Sequence, residues 1–274
     1  MSLAETEIFD SHLHIVDPRF PLVPNKGWLP AAFTVEDYTQ AVDRLGLIPI
    51  GGVVVSGSFQ SFDQTYLVDA LARLGPRFVG VTQLRPDATD EAIRKLDTHG
   101  VRGVRFNLRR GVANDLEVLE QVAFRVANLV GWHVELYATP DDIVELEPRL
   151  RRLPAASIDH VGLCKDPTSP GSLALTRLVE AGVQVKATGF GRTSGDSASM
   201  LAHLAAVRPT ALMFGTDLPS TRANRPFERQ DMERVCETVS PEIVPLILAD
   251  NGRNFYGDRL QPTSRREAPK RRNP

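Results

Sequence analysis

Short apolar segments alternate along this chain with longer segments in which hydrophobic and polar positions repeat at the period of a helix. Residues 52–55 and 78–82 are apolar runs rich in valine, a pattern typical of buried strands. Residues 64–74 show helical periodicity and stop at Gly75, where glycine occupies a common helix-ending position. Because strands that alternate with helices pair in parallel, the pattern indicates an α/β fold.

Eight such units follow one another. The predicted strands are residues 8–15, 52–55, 78–82, 101–108, 133–137, 157–161, 183–187 and 211–214. The predicted helices are residues 34–45, 64–74, 90–99, 115–130, 141–153, 173–181, 197–207, 228–239 and 242–249. Eight strand–helix units over about 250 residues predict a single-domain (β/α)8 TIM barrel with extra C-terminal helices. An open, doubly wound sheet is the alternative; it is disfavoured because no G-x-G-x-x-G motif follows a strand.

Two segments do not fit the repeat. Residues 17–32 contain four prolines and predict a long loop, of the kind that often serves function. Residues 258–274 are polar and basic, so we expect a disordered or extended tail, or else a contact in a homo-oligomer. The barrel is therefore expected to occupy residues 1–257.

The composition narrows the class of protein. Of 274 residues, 42% are hydrophobic and 24% charged, and the formal net charge is -2. Because positive charge is not in excess, neither nucleic acid nor a membrane surface is an expected partner. The chain has no apolar run of about 18 residues and no basic N-terminal segment followed by an apolar core, so we expect neither a membrane span nor a secretory signal. Two cysteines, Cys164 and Cys236, predict a reducing, cytoplasmic location.

The first predicted strand carries the most informative motif. Asp10, His12 and His14 stand at alternate positions, and alternate side chains of a regular strand point to the same side. We therefore expect all three on one face, with Asp10 as a third polar group or as a support for the imidazoles. A strand facing water is the plain alternative, but two converging imidazoles beside a carboxylate favour a functional site.

More polar residues come at the carboxyl ends of later strands, where TIM barrels carry their active sites. They are Ser56, Arg105 with Arg109 and Arg110 beyond it, Glu135 and Tyr137, Asp159 and His160, Lys186 with Arg192, and Asp217. Arg109 and Arg110 are adjacent, so only one is expected to face the site. Of the fifth-strand pair we favour Tyr137, and Lys186 is expected to point outward.

Together these motifs resemble the amidohydrolase superfamily (the amidohydrolase 2 type). The resemblance is carried by Asp10-x-His12-x-His14, by His160 within residues 158–162, by residues 100–107, by Arg192 after Lys186, by Gly215-Thr216-Asp217-Leu218-Pro219 and by Asn251-x-x-Asn254-x-Tyr256. In detail the chain is similar to the lactonase branch, which includes the 2-pyrone-4,6-dicarboxylate lactonases. The resemblance spans residues 8–257 and implies a hydrolase acting on a carboxylic ester or lactone.

For cofactors the resemblance implies either none or one divalent metal, zinc or manganese. The candidate ligands of such an ion are His12, His14, His160 and Asp217. A lysine-bridged binuclear centre is not expected, because the fourth strand offers no lysine. The pyrone lactonases work without a metal, and their pattern of a serine, arginines and a tyrosine is matched here by Ser56, Arg105, Tyr137 and Arg192.

Three functions follow as hypotheses. The first is hydrolysis of a lactone in a small anionic, carboxylated substrate: Asp217 accepts a proton from water, while the histidines and arginines stabilise the oxyanion. The expected substrate-binding residues are Ser56, Arg105, Arg109, Arg110, Tyr137 and Arg192. The alternative is a metal-dependent decarboxylase of an aromatic or unsaturated carboxylic acid. A non-catalytic barrel that binds an acidic metabolite is the third, and a carboxylate at the centre of the site argues against it.

Overall fold

The structure, a computed structural model, describes residues 5–109, 116–192 and 197–257. Eight strands lie side by side in the order of the chain and pair in parallel. The strands are β1 Thr6–Leu13, β2 Leu47–Val55, β3 Phe78–Thr82, β4 Val101–Asn107, β5 His133–Tyr137, β6 Ala156–Ile158, β7 Gln184–Ala187 and β8 Leu212–Phe214. β8 returns to β1, where the Ser11 hydroxyl donates to the Phe214 carbonyl at 2.6 Å. The predicted TIM barrel is confirmed.

Helices lie between the strands and after the last one. In the described parts of the chain they are α1 Val35–Arg44, α2 Thr65–Leu74, α3 Asp90–Thr98, α4 Leu116–Val130, α5 Pro140–Leu150, α6 Pro170–Glu180, α7 Ala198–Val207, α8 Arg229–Thr238 and α9 Asn251–Gly257. No helix within these parts has the length and apolar character needed to cross a bilayer. The predicted tail, residues 258–274, lies outside the described residues.

Local sequence explains where several helices begin. Thr34 caps α1: its hydroxyl accepts from the Asp37 amide, and the Asp37 carboxylate accepts from the Thr34 amide at 2.8 Å. This is the reciprocal arrangement of a capping box. Thr139 and Asp142 repeat it at α5, where Pro140 occupies the first helical position, one that tolerates proline.

The last predicted helix, residues 242–249, is wrong in its bounds. A π-helical turn covers Leu246–Asp250 and continues as α9. The sequence misleads at Gly252, which looks like a helix stop. Its role is close approach, because a Cβ atom there would lie 2.5 Å from the Phe9 ring. The helix therefore runs through this glycine and packs on β1.

Two apolar layers sit on either side of the strands. The larger lies between the strands and the helices and includes Val54, Tyr38 and Ile93. The smaller fills one end of the barrel interior; its members are Phe9, Val53, Val55, Val79, Val81, Met213 and Tyr256. Because Val53 and Val55 alternate with Val54, the two layers follow the two faces of β2. The interior layer leaves the other end of the barrel to polar residues.

Candidate active site

The paired histidines of β1 lie inside the barrel. His12 and His14 are both buried, and their ring centroids are 4.9 Å apart. The pairing of β1 with β2 shifts register between Asp10 and Leu13, so strict alternation breaks at this point.

Asp10 departs from the expected common face as a result. Its carboxylate accepts from the Tyr38 hydroxyl of α1 at 3.0 Å and from the amide and hydroxyl of Thr216 at 2.9 and 2.7 Å. It also accepts from the His12 amide at 3.3 Å. Asp10 thus ties β1 to α1 and to the segment after β8, which makes it a support for the histidines rather than a third polar group beside them.

Asp217 lies immediately beyond β8, and the structure brings it to the two histidines. Its amide donates to the His12 carbonyl at 2.7 Å. Its Oδ1 lies 3.4 Å from His14 Nε2 and 3.8 Å from His12 Nε2. Arg192 donates to both carboxylate oxygens, each at 2.6 Å. Asp217 has φ 59°, a left-handed conformation that is costly for a residue with a side chain and recurs at functional sites.

His160 completes a group with His12 and Asp217. β6 ends at Ile158, and His160 then adopts φ 53°, so the ring enters the barrel from a turn rather than from the strand predicted over residues 157–161. Its centroid lies 4.9 Å from that of His12 and 4.9 Å from that of Tyr137. Neither of its ring nitrogens has a hydrogen-bond partner among the described residues.

We name His12, His14, His160 and Asp217 the histidine layer. The Asp217 carboxylate faces the imidazoles, and its hydrogen-bond donor, Arg192, lies outside the layer. His14 Nδ1 lies 2.7 Å from the Val55 carbonyl, an acceptor, so this nitrogen carries the hydrogen and Nε2 carries the lone pair. His12 Nδ1 lies between a carboxylate oxygen of Asp159 at 3.3 Å and the Lys186 ammonium at 3.5 Å, and its buried Nε2 has no partner among the described residues. Nε2 of each of the two rings faces the Asp217 carboxylate.

Such a convergence fits a cation. Ligand atoms of His12, His160 and Asp217 all lie within 4.8 Å of one another. Unpaired buried nitrogens are rare unless an ion, a water or a ligand satisfies them. Imidazole and carboxylate suit zinc or manganese. His14 stands beside this group, in contact with Asp217 rather than within the set of three.

Beside the histidine layer lies a second set, Arg105, Glu135, Asp159 and Lys186, which we name the charged layer. Arg105 Nη2 donates to Asp159 Oδ2 at 2.7 Å, and the Lys186 ammonium donates to Glu135 Oε2. The remaining carboxylate oxygens face His12 Nδ1, at 3.3 Å from Asp159 and 3.6 Å from Glu135. Burial, together with the Asp159 charge, raises the pKa of Glu135. Two cations therefore match two carboxyl groups here.

The expected outward direction of Lys186 is wrong. Its side chain is fully buried, as is that of Glu135. The two residues lie on β5 and β7 with β6 between them and meet across the barrel interior. A usable signal was present in the sequence, since each is the one charged residue of a short apolar strand.

Electrostatics set the protonation of the histidine layer. Burial lowers the pKa of His12 to about 3 and also lowers the pKa values of His14 and His160. Burial alone would raise the pKa of Asp217, but the Arg192 guanidinium holds it well below its usual range. At neutral pH the layer therefore contains neutral imidazoles and an ionised carboxylate.

An open cavity with an empty volume of about 310 Å³ lies above the histidine layer. It is lined by His14, Trp28, Gly57, Ser58, Phe59, Arg105, Asn107, Tyr137, Arg192, Thr221 and Arg222. This lining holds three arginines and no acidic residue. The guanidinium carbons of Arg105, Arg109 and Arg192 stand 5.6, 6.0 and 5.8 Å from the centroid of the Tyr137 ring. Three guanidinium groups therefore surround the Tyr137 ring at the cavity.

The predicted substrate-binding residues divide between this cavity and other places. Arg105, Tyr137 and Arg192 line it. Ser56 does not: it is fully buried, and its hydroxyl bonds with the Tyr66 hydroxyl at 2.7 Å and Gln64 at 3.0 Å.

The positions of the two adjacent arginines, and of two residues that sequence reasoning missed, remain to be described. Arg109 is exposed beside Tyr137, and Arg110 lies outside the described residues. Trp28 lies in the loop of residues 17–32 and Arg222 in the segment after β8, and both line the cavity. No motif in the sequence identifies either residue.

A barrel whose strand ends gather imidazoles, a carboxylate and arginines is typical of an enzyme active site. The sequence profile described as amidohydrolase matches residues 9–257, and the chain belongs to that family. The resemblance seen in the sequence motifs is thereby confirmed.

Individual proteins of known sequence or structure are also similar to this chain. It is 27% identical over 270 residues to a 4-sulfomuconolactone hydrolase of Rhizobium radiobacter, covering 91% of this chain and 89% of that protein. It is 31% identical over 158 residues to a 2-pyrone-4,6-dicarboxylate hydrolase of Comamonas testosteroni, covering 56% of this chain and 51% of that protein. The crystal structure of a probable 2-pyrone-4,6-dicarboxylic acid hydrolase from Acinetobacter baumannii superposes with a TM-score of 0.79 at 21% identity, covering 91% of this chain and 99% of that one. This likeness supports the barrel fold.

Proposed function

We propose that this protein hydrolyses the lactone bond of a small anionic substrate that carries at least one carboxylate. The observation that carries the proposal is the position of Asp217, an ionised carboxylate among neutral imidazoles below a cavity with three arginines and no acid. The names of the relatives, hydrolases of a sulfomuconolactone and of a pyrone dicarboxylate, support a lactone as the substrate class.

Asp217 is the general base in this proposal. It accepts a proton from the attacking water, whose oxygen then bonds to the lactone carbonyl carbon. The bond between that carbon and the ring oxygen breaks, and the proton held by Asp217 passes to the leaving oxygen. Arg192 keeps the carboxylate ionised and fixes its plane through two hydrogen bonds. A base of low pKa is weak, but it is fully deprotonated at neutral pH.

His160 is placed to stabilise the developing oxyanion. Its nitrogens have no partner among the described residues, so one can donate its hydrogen to the carbonyl oxygen of a bound substrate. Donors positioned before the reaction supply a large share of catalysis because they need no reorganisation. Tyr137, whose ring contacts the His160 ring, holds the imidazole in position.

A divalent ion fits the same residues. His12, His160 and Asp217 would hold it, with His14 adjacent, because their ligand atoms lie within 4.8 Å of one another and nitrogens of both histidines have no partner among the described residues. When bound, zinc or manganese supplies a Lewis acid that polarises a carbonyl and acidifies water. His12 is oriented for this by the carboxylates of Asp159 and Glu135 behind its Nδ1.

The test is turnover by Asp217→Asn, measured on lactones that carry one to three carboxylates and on a sulfonated muconolactone. We expect kcat to fall by about a hundredfold or more, because a general base contributes roughly that factor. Asp87→Asn, an exposed carboxylate paired with Arg85, is the control and should turn over normally. Elemental analysis of the purified protein belongs to the same experiment.

Three results would contradict the proposal. Turnover by Asp217→Asn within about threefold of the parent would remove its role as base. Release of CO2 instead of a ring-opened acid would indicate the decarboxylase alternative. Stabilisation by ligands without any turnover would indicate a binding protein.

A further inference from the structure

We propose that Arg222 determines specificity by binding a second anionic group of the substrate, a carboxylate or a sulfonate away from the scissile bond. The lactone chemistry in this statement rests on the proposed function, whereas the binding of a dianion does not. Arg222 lies in the segment after β8, outside every motif of the sequence. It lines the cavity above the histidine layer.

The guanidinium of Arg222 is held in place by the loop of residues 17–32. Its carbon lies 4.5 Å from the centroid of the Trp28 ring, close enough for a cation–π contact. Its Nη2 donates to the Asn25 carbonyl. These two contacts fix the plane of the group at the cavity wall. Fixing it beforehand reduces the entropy that a ligand must remove on binding.

Two nitrogens of Arg222, Nε and Nη1, donate to no acceptor among the described residues, and Nε is buried. Buried guanidinium nitrogens are normally satisfied. No carboxylate of the described residues forms an ion pair with this side chain either. Arg222 therefore brings to the cavity lining a positive charge without a carboxylate partner among the described residues.

The other two arginines of the cavity differ in this respect. Every nitrogen of Arg105 already donates, Nε and Nη2 to Asp159 and Nη1 to the Ser56 carbonyl. Every nitrogen of Arg192 also donates, Nε and Nη2 to Asp217 and Nη1 to the Thr221 carbonyl.

Each of these two charges is thus neutralised by a carboxylate of the protein. Arg222 is the arginine of the lining whose charge has no such partner. A substrate with one anionic group leaves this charge unmatched, whereas a dianion matches it. Arginine forks suit planar carboxylates and also bind tetrahedral oxyanions.

The experiment measures binding by calorimetry, so it is independent of turnover. The probes are pyridine-2,4-dicarboxylate, which has no bond to hydrolyse, pyridine-2-carboxylate, and the analogue with a sulfonate as its second group. For Arg222→Gln we expect the dissociation constants of both dianions to rise by about 10- to 100-fold, the equivalent of one lost charge-assisted hydrogen bond. The monoanion should change by less than about threefold.

Two further variants separate the effect of the guanidinium group from that of net charge. Arg222→Lys keeps the charge and loses the planar group over Trp28, so it should restore part of the dianion affinity. Arg85→Gln removes an exposed arginine paired with Asp87 and is the matched control for net charge. Circular dichroism of each variant verifies that it is folded. The ratio of the two dianion affinities in the parent protein identifies carboxylate or sulfonate as the preferred group.

The outcomes separate this proposal from the preceding one. Equal affinity of Arg222→Gln and parent for the dianions would overturn it, as would an equal loss for the monoanion. Failure of the parent protein to bind either dianion would overturn it as well. If no lactone is hydrolysed but the selective loss is found, the proposed function fails while the assignment of Arg222 stands.

Discussion

The charged layer and the histidine layer lie next to each other in the barrel and differ in how their charges are satisfied. In the charged layer two cations stand against two carboxyl groups, and the cations lie within hydrogen-bond distance of them. In the histidine layer Nε2 of His12 and Nε2 of His14 face the Asp217 carboxylate, and buried nitrogens of His12 and His160 have no partner among the described residues. The charges of the first layer are balanced within it, although Glu135 Oε1 and Asp159 Oδ1 lack a hydrogen-bond donor among the described residues, whereas the second layer contains no cation of its own. We therefore expect mutations in the charged layer to affect stability and mutations in the histidine layer to affect turnover.

Lys186→Met should produce the largest change in stability. It leaves the buried Glu135 without its cation, and breaking a buried pair typically costs about 3–5 kcal/mol of unfolding free energy. Unfolding in denaturant measures this. In the double variant Lys186→Met with Glu135→Gln part of the loss should be recovered, because no uncompensated charge remains. If the single variant were as stable as the parent, the charge balance of this layer would not contribute to stability.

His160→Gln should show the opposite behaviour. Because the ring nitrogens have no partner to lose, the free energy of unfolding should change by less than about 1 kcal/mol. The value of kcat/KM should fall by about a hundredfold, the usual effect of removing an oxyanion donor. His203→Gln on α7, whose ring bonds with Thr176 at 3.0 Å, is the control and should keep the parent rate. A large loss of stability with normal turnover would reverse the assignment of the two layers.

Gly189→Ala should give a smaller effect of the same kind. Gly189 has φ +72°, and a Cβ atom there would lie 2.5 Å from His160 Nδ1, so the imidazole must move. Gly75 has φ +88° with nothing within 4 Å of its Cβ position, which makes Gly75→Ala a control for backbone strain alone. Each variant should lose about 1–3 kcal/mol of stability. Only Gly189→Ala should lower kcat, by about tenfold or more, since small misplacements of catalytic groups cost that much. Equal rates in the two variants would mean that the His160 position does not matter.

Much of this architecture is readable from the sequence. The barrel follows from hydrophobic patterning because eight repeats of the same unit leave few topologies. His12, His14, His160 and Asp217 were predicted for a related reason: each lies at or just past the end of a strand. Strand ends converge whatever the details of packing, so the order of elements alone brings these residues together.

The failures arose where a side chain depends on a particular partner. Lys186 was expected outside because it lies in an alternating strand, and its partner Glu135 lies on a different strand. Asp10 left the common face because of a register shift that no residue pattern announces. Arg222 is not part of any periodic hydrophobic pattern in the sequence. Only its contact with Trp28 in the structure shows what it faces. Contacts between distant irregular segments are the part that sequence patterns do not encode.

The backbone hydrogen bond between Asp217 and His12 has a consequence for the synthesis of the protein. The Asp217 amide donates to the His12 carbonyl, and the His14 amide donates to the Leu218 carbonyl at 2.8 Å. The first and the last barrel segments to leave the ribosome thus hydrogen-bond to each other at the candidate active site. A nascent chain carries both histidines for most of its synthesis. The site stays incomplete until the segment that follows β8 has been synthesised.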